Sequence, residues 1–137
     1  MSERDPATYE EFWPEYVRAH TRPATRALHA VGTALFLTSA AAFLLTRKVK
    51  YLAAMPVLGY GPAWASHFFI EGNMPATFRH PLWSLRGDFE MMARMITGTM
   101  AAEVERCVRA AEEPTVTIKG EDSAPGYAHA APDATVH

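Results

Sequence analysis

Residues 30–70 read AVGTALFLTSAAAFLLT-RKVK-YLAAMPVLGYGPAWASHFFI: two apolar segments, 30–46 and 51–70, joined by the basic clip Arg47-Lys48-Val49-Lys50. Neither segment contains Arg, Lys, Asp or Glu. A hydrocarbon core asks for roughly 20 apolar residues per spanning helix, with about 17 as the lower limit. By that measure the first segment is marginal and the second sufficient. A short membrane-embedded helical hairpin is the expected form. Pro56, Gly59, Gly61 and Pro62 predict that its second arm is broken or kinked, with the freed backbone groups satisfied by protein or water.

Both flanks carry helical patterns. Thr8 to Glu11 fits a capping box, and Tyr9, Phe12, Trp13, Tyr16, Val17 and His20 recur at helical spacing. This predicts an N-terminal interfacial amphipathic helix, because Tyr and Trp suit the head-group region. Pro14 marks a kink or its true first turn. Pro23 fits the opening turn of a second helix, about 24 residues long, that runs through Arg26, His29 and Gly32 into the first apolar segment. Beyond Glu71, the turn residues Gly72-Asn73-Met74-Pro75, Pro81 and Gly87 predict an ordered loop or short turns over 72–87. Asp88 then reads as the N-cap of a C-terminal amphipathic helix with the stripe Phe89, Met92, Ile96, Met100, Val104 and Cys107, ended by Pro114. The fold class expected is all-α. One membrane-associated helical domain covers 1–112, and a disordered tail covers 113–137.

Charge is segregated along the 137 residues: a net −4 over 1–17, +6 over 18–100 and −4 over 101–137, for a total of −2. The basic part is the membrane-like part, as expected of a surface that meets anionic head groups or an anionic amphiphile. The arginines are interleaved with long apolar runs and form no recognised module, which argues against nucleic-acid binding. A single Cys107 excludes an internal disulfide. Met1 to Glu15 lacks the basic and apolar regions of a secretory signal, so insertion is expected to rely on the internal segments. The bases in the clip are balanced by Arg18, Arg22, Arg26, Arg79 and Arg86 on the other side, so the positive-inside rule selects no topology.

The hairpin would bring metal-competent side chains to one membrane face. His29 precedes the first apolar segment, and His67 and Glu71 close the second at i and i+4 spacing, on one face of a helix. An imidazole and a carboxylate so placed can bind one metal ion, as related pairs do in helical di-iron proteins. His20 lies nine residues before His29, on the opposite face of an uninterrupted helix, but a break at Pro23 lets both reach the mouth of the hairpin. His80, in the Arg79-His80-Pro81 loop, is an optional fourth nitrogen ligand. Taken singly, each histidine also reads as an interfacial or core residue; together with a carboxylate at one level they point to a metal site. Arg22, Arg26, Arg79 and Arg86 flank the same mouth, where they face lipid phosphates or hold a substrate carboxylate. Met91, Met92, Met95 and Met100 read as adaptable packing rather than soft-metal ligation. No thiolate cluster, phosphate-cradling glycine loop, Gly-x-Ser-x-Gly elbow or dinucleotide fingerprint is present, so hydride transfer and serine hydrolysis have no support.

The string Phe12-Trp13-Pro14 to Tyr16, His20, Pro23, Arg26, Leu28-His29, Gly32-Thr33, then Gly59-Tyr60, Ala63-Trp64, His67-Phe68-Phe69, Glu71, Asn73-Met74-Pro75-Ala76, Pro81-Leu82-Trp83-Ser84 and Gly87-Asp88 resembles a small membrane family. That family was long catalogued as a domain of unknown function. It includes the fungal endoplasmic-reticulum 2-hydroxy fatty acid dioxygenase, which acts in phytosphingosine breakdown. The resemblance implies Fe(II), dioxygen and α-oxidation, in which a 2-hydroxy fatty acid becomes a fatty acid one carbon shorter. It places the family's histidine pattern on His20, His29 and His67, and a recurring acidic position on Glu71. It also implies an integral membrane protein, of the inner membrane in a bacterium or the endoplasmic reticulum in a eukaryote, with a lipid-like substrate. Two rivals make different predictions. A non-catalytic membrane protein binding lipid or a partner through its basic rim would hold no stoichiometric metal. A haem-binding electron carrier ligated by two histidines would show an intense near-violet absorption band.

Overall fold

Pro23 sits in the first turn of the longest helix, where its missing N–H costs nothing. The helix it opens, α2 (Pro23–Thr46), has the 24 residues expected from sequence. The computed structural model describes residues 4–113. Among them the chain is all-helical, with α1 (Tyr9–Arg18), α2, α3 (Val49–Ser66), α4 (Pro81–Ile96) and α5 (Met100–Glu112) and no strand. A π-helical turn covers His67–Glu71 and a 3-10 turn covers Ala76–Phe78. Beyond Glu113, the expected tail and the Pro114 stop lie outside the described residues.

α2 and α3 form the hairpin. They come close at Gly32, where a Cβ would stand 2.4 Å from the Gly59 carbonyl oxygen, and Ser39 Oγ donates to the Tyr51 carbonyl at 2.7 Å. The outward faces are apolar and exposed: Val31, Leu37, Leu44 and Leu45 on α2, Val49, Leu52 and Val57 on α3. α2 is the one helix among the described residues long and apolar enough to cross a membrane by length and composition. The second segment, judged the more sufficient from sequence, is not one regular helix: α3 ends at Ser66 and the last four residues of the segment widen into the π turn. α3 runs unbroken through Pro56 and Pro62, so the irregularity falls later than the prolines suggested.

α1, α4 and α5 pack together against one end of the hairpin. α1 is amphipathic as expected, and Thr8 caps it by accepting from the Glu11 N–H. Its aromatic face does not meet a head-group layer. Tyr9, Phe12, Trp13, Tyr16 and Val17 are buried in the protein with Met91, Met100 and Cys107. Their polar tips are paired inside it, Tyr9 with Glu90 at 2.8 Å and Trp13 Nε1 with Glu103 at 2.7 Å. Met91 and Met100 therefore pack rather than ligate.

The expected C-terminal helix is two helices. α4 starts at Pro81, seven residues before Asp88, so most of the second half of the predicted loop is helical and Asp88 is interior instead of a cap. α4 ends in a Schellman turn: the Thr99 N–H bonds to the Arg94 carbonyl and the Gly98 N–H to the Met95 carbonyl. Gly98 has the required positive φ of 74°.

Candidate metal centre

His20 lies in the short link between α1 and α2, His29 in the second turn of α2, and His67 at the first position of the π turn. All three side chains are buried, at 0%, 4% and 1% relative exposure. Their Nε2 atoms converge, 3.2 Å from His20 to His29 and 3.2 Å from His29 to His67. The three candidate ligand atoms all lie within 4.8 Å of one another. The rings stand edge to face, at 83°, 81° and 89°.

Each Nδ1 is occupied by an acceptor, and that fixes the tautomer. His20 Nδ1 bonds to the Tyr16 carbonyl at 2.5 Å, and a carbonyl can only accept. His29 Nδ1 donates to the Asp88 carboxylate at 2.8 Å. His67 Nδ1 bonds to Asn73 Oδ1 at 2.7 Å, and the Asn73 amide is oriented by donating its Nδ2 to the Ala19 carbonyl at 3.1 Å. With the proton on Nδ1 in each ring, three Nε2 lone pairs face one point. Unprotonated nitrogens 3.2 Å apart repel unless a cation lies between them. Metal–nitrogen bonds of about 2.1 Å, at right to tetrahedral angles, put neighbouring ligand nitrogens about 3.0–3.4 Å apart. The donor set therefore fits a single small metal ion. It does not fit a haem, whose two axial nitrogens stand about 4 Å apart on opposite sides of a macrocycle. Burial, reinforced by the other two imidazoles, pushes His20 well below the ordinary histidine range and keeps it in the neutral form a ligand needs.

The other expected site residues are elsewhere. Glu71 is on the rim, where its carboxylate accepts from the Arg22 backbone N–H at 2.8 Å and from Thr21 Oγ1 at 3.3 Å. It joins the link between α1 and α2 to the π turn. His80 stacks on Trp83 with centroids 4.9 Å apart and bonds to Asp5 at 3.2 Å, so it is no fourth ligand. Arg26 donates to the carbonyls of His20 and Thr21, which ties down the turn that carries His20. Arg79 pairs with Asp5, and the Arg86 guanidinium lies over the Tyr9 ring at 3.6 Å. The Arg22 guanidinium makes no hydrogen bond or ion pair among the described residues. The four arginines thus do not form one carboxylate clamp.

Asp88 and Asn73 are the functional residues that the sequence reading missed. Ser84, Gly87, Asp88 and Met91 form the buried face of α4. That helical spacing was a usable signal, masked by reading Gly87 as the end of a loop.

The family model described as 2-hydroxy-palmitic acid dioxygenase Mpo1-like matches residues 6–100, a range that holds all three histidines, Asn73 and Asp88. The chain belongs to the Mpo1-like family. No curated protein and no solved structure matches it. Within the Mpo1-like match, α1 supplies the link to His20, the hairpin supplies His29 and His67, and α4 supplies Asp88. α5 lies beyond the match except for Met100, and its Glu103 accepts from Trp13 Nε1 of α1.

Proposed function

We propose that the chain is a nonheme Fe(II)-dependent dioxygenase of 2-hydroxy fatty acids, an oxidoreductase that shortens its substrate by one carbon. The observation that carries this reading is the convergence of three buried histidine Nε2 atoms, in a family described as 2-hydroxy-palmitic acid dioxygenase Mpo1-like. Bound there, Fe(II) would supply the redox and Lewis-acid chemistry that a 2-hydroxy carboxylate and dioxygen need. His20, His29 and His67 would hold the ion. Tyr16, Asp88 and Asn73 hold the rings, and the burial of all three histidines excludes bulk water. Arg22 is the rim arginine left to meet the substrate carboxylate or a lipid phosphate. With one dioxygen the atoms balance on the shortened acid, carbon dioxide and water.

The chain is proposed to sit in a membrane through the exposed apolar faces of the hairpin, and to draw its lipid-like substrate from there. The test is oxygen uptake by anaerobically purified, Fe(II)-loaded protein given 2-hydroxypalmitate. The parent is expected to consume one oxygen per pentadecanoic acid formed, and His67→Ala to lose at least 100-fold in rate with its helix content unchanged. Undiminished turnover by His67→Ala, or none by the iron-loaded parent on 2-hydroxy acids of any length, would reject the assignment.

A further inference from the structure

Asp88 is a buried carboxylate, 8% exposed, in the middle of α4. Its Oδ1 accepts both the His29 Nδ1–H and the Tyr16 hydroxyl. Among the described residues it has no lysine or arginine partner, and its one ion-pair contact is His29. A buried negative charge is costly unless a positive charge answers it. Its partners are the His29 ring and the Tyr16 hydroxyl, and a divalent ion on the far nitrogen of His29 would place a positive charge directly across that ring.

Tyr16 ties this carboxylate to a second ligand. Its hydroxyl bonds to Asp88, its ring stacks on His20 with centroids 4.1 Å apart, and its carbonyl accepts from His20 Nδ1. Gly87, beside Asp88, leaves room for that ring: a Cβ there would come within 3.0 Å of it. Glu71, the carboxylate favoured by sequence, is on the rim and bonded to a backbone N–H.

We propose that Asp88, oriented by the Tyr16 hydroxyl, is the counter-charge and positioning residue of the metal centre and acts through His29. This rests on the metal-site reading above. A carboxylate on the outer nitrogen of a ligating histidine strengthens the inner nitrogen as a donor and fixes its direction. Nitrogen ligands alone leave a bound dication with its full charge, and Asp88 halves it.

The test is titration of the metal-free full-length protein in detergent with Co(II), read by visible absorption. Asp88→Asn keeps the size and an acceptor for His29 but removes the charge. It is expected to bind Co(II) about 10- to 100-fold more weakly, with helix content and melting temperature near the parent's. Tyr16→Phe keeps the ring and the carbonyl and is expected to weaken binding about three- to tenfold. It carries the test if Asp88→Asn does not fold. Affinity within threefold of the parent in whichever of these variants folds overturns the proposal while leaving the metal site in place. A parent that binds no Co(II) overturns the metal-site reading and this proposal with it.

Discussion

The hairpin and the three-helix cap are built by opposite rules. α2 and α3 keep their large apolar side chains on the outside and meet through small residues, with Gly32 against the Gly59 carbonyl. The cap does the reverse. α1 turns its aromatics inward against α4 and α5, and these pair its buried polar tips, Tyr9 with Glu90, Trp13 with Glu103 and Tyr16 with Asp88. Close backbone approach through small residues suits helices surrounded by lipid, where apolar burial between helices gains little. Aromatic burial with paired polar groups suits a core that excludes water. The histidines lie on the seam: His29 and His67 belong to the hairpin, and His20 hangs from the end of α1. Neither half holds the set alone, so metal binding should report on how the two halves dock.

The comparison can be broken first at the hairpin. Gly32→Ala puts a methyl group 2.4 Å from a backbone oxygen, so the helices must part by about 1 Å to restore ordinary contact. Overpacking of this kind costs about 1–3 kcal/mol. Because Gly32 is one turn from His29, the same shift should loosen the metal site. The expected outcome is a lowered melting temperature together with a loss of Co(II) affinity. If affinity holds while stability falls, the two halves are less coupled than the seam implies.

A smaller effect is expected in the cap. The Arg106 guanidinium, with help from Trp13 Nε1 and Arg94, holds the Glu103 carboxyl down at about 2 against an ordinary 4.5. A lowered folded-state value stabilises the fold fully above pH 4.5, and that stability is lost as the pH falls from 4.5 toward 2. Glu103→Gln should cost about 1–2 kcal/mol at pH 7 and flatten this acid limb, as measured by tryptophan fluorescence during unfolding in detergent. Co(II) affinity at pH 7 should be unchanged, since the side-chain partners of Glu103 are Trp13, Arg94, Arg106 and Cys107 and include none of the three histidines. A drop in affinity would show that the cap transmits strain to the seam.

Local chemistry explains what could be read in the sequence. Pro23 and the basic clip bound α2 because a proline in the first turn and a run of charges are local signals. The three histidines were legible because a hairpin brings its ends together whatever the side-chain detail. Glu71 could not be placed from sequence for a physical reason: the groups that hold its carboxylate on the rim, Thr21 Oγ1 and the Arg22 N–H, are 50 and 49 residues away in the chain. Asp88 was hidden because its role depends on α4 packing beside Tyr16, 72 residues away in sequence. The aromatic face of α1 could be read as apolar but not as inward-facing, since the acceptors that pair its polar tips come from Glu90 and Glu103. The division between α4 and α5 was local and available in Gly98, whose positive φ closes the Schellman turn.

The central claim is that His20, His29 and His67 close around one ion, and metal stoichiometry tests it most directly. Full-length protein loaded anaerobically with Fe(II) and freed of excess metal should retain about one iron per chain, with imidazole nitrogens in its X-ray absorption shell. His20→Ala and His29→Ala, from opposite sides of the seam, should each retain almost none. Iron that stays bound in both variants, or a parent that retains none, would contradict the account.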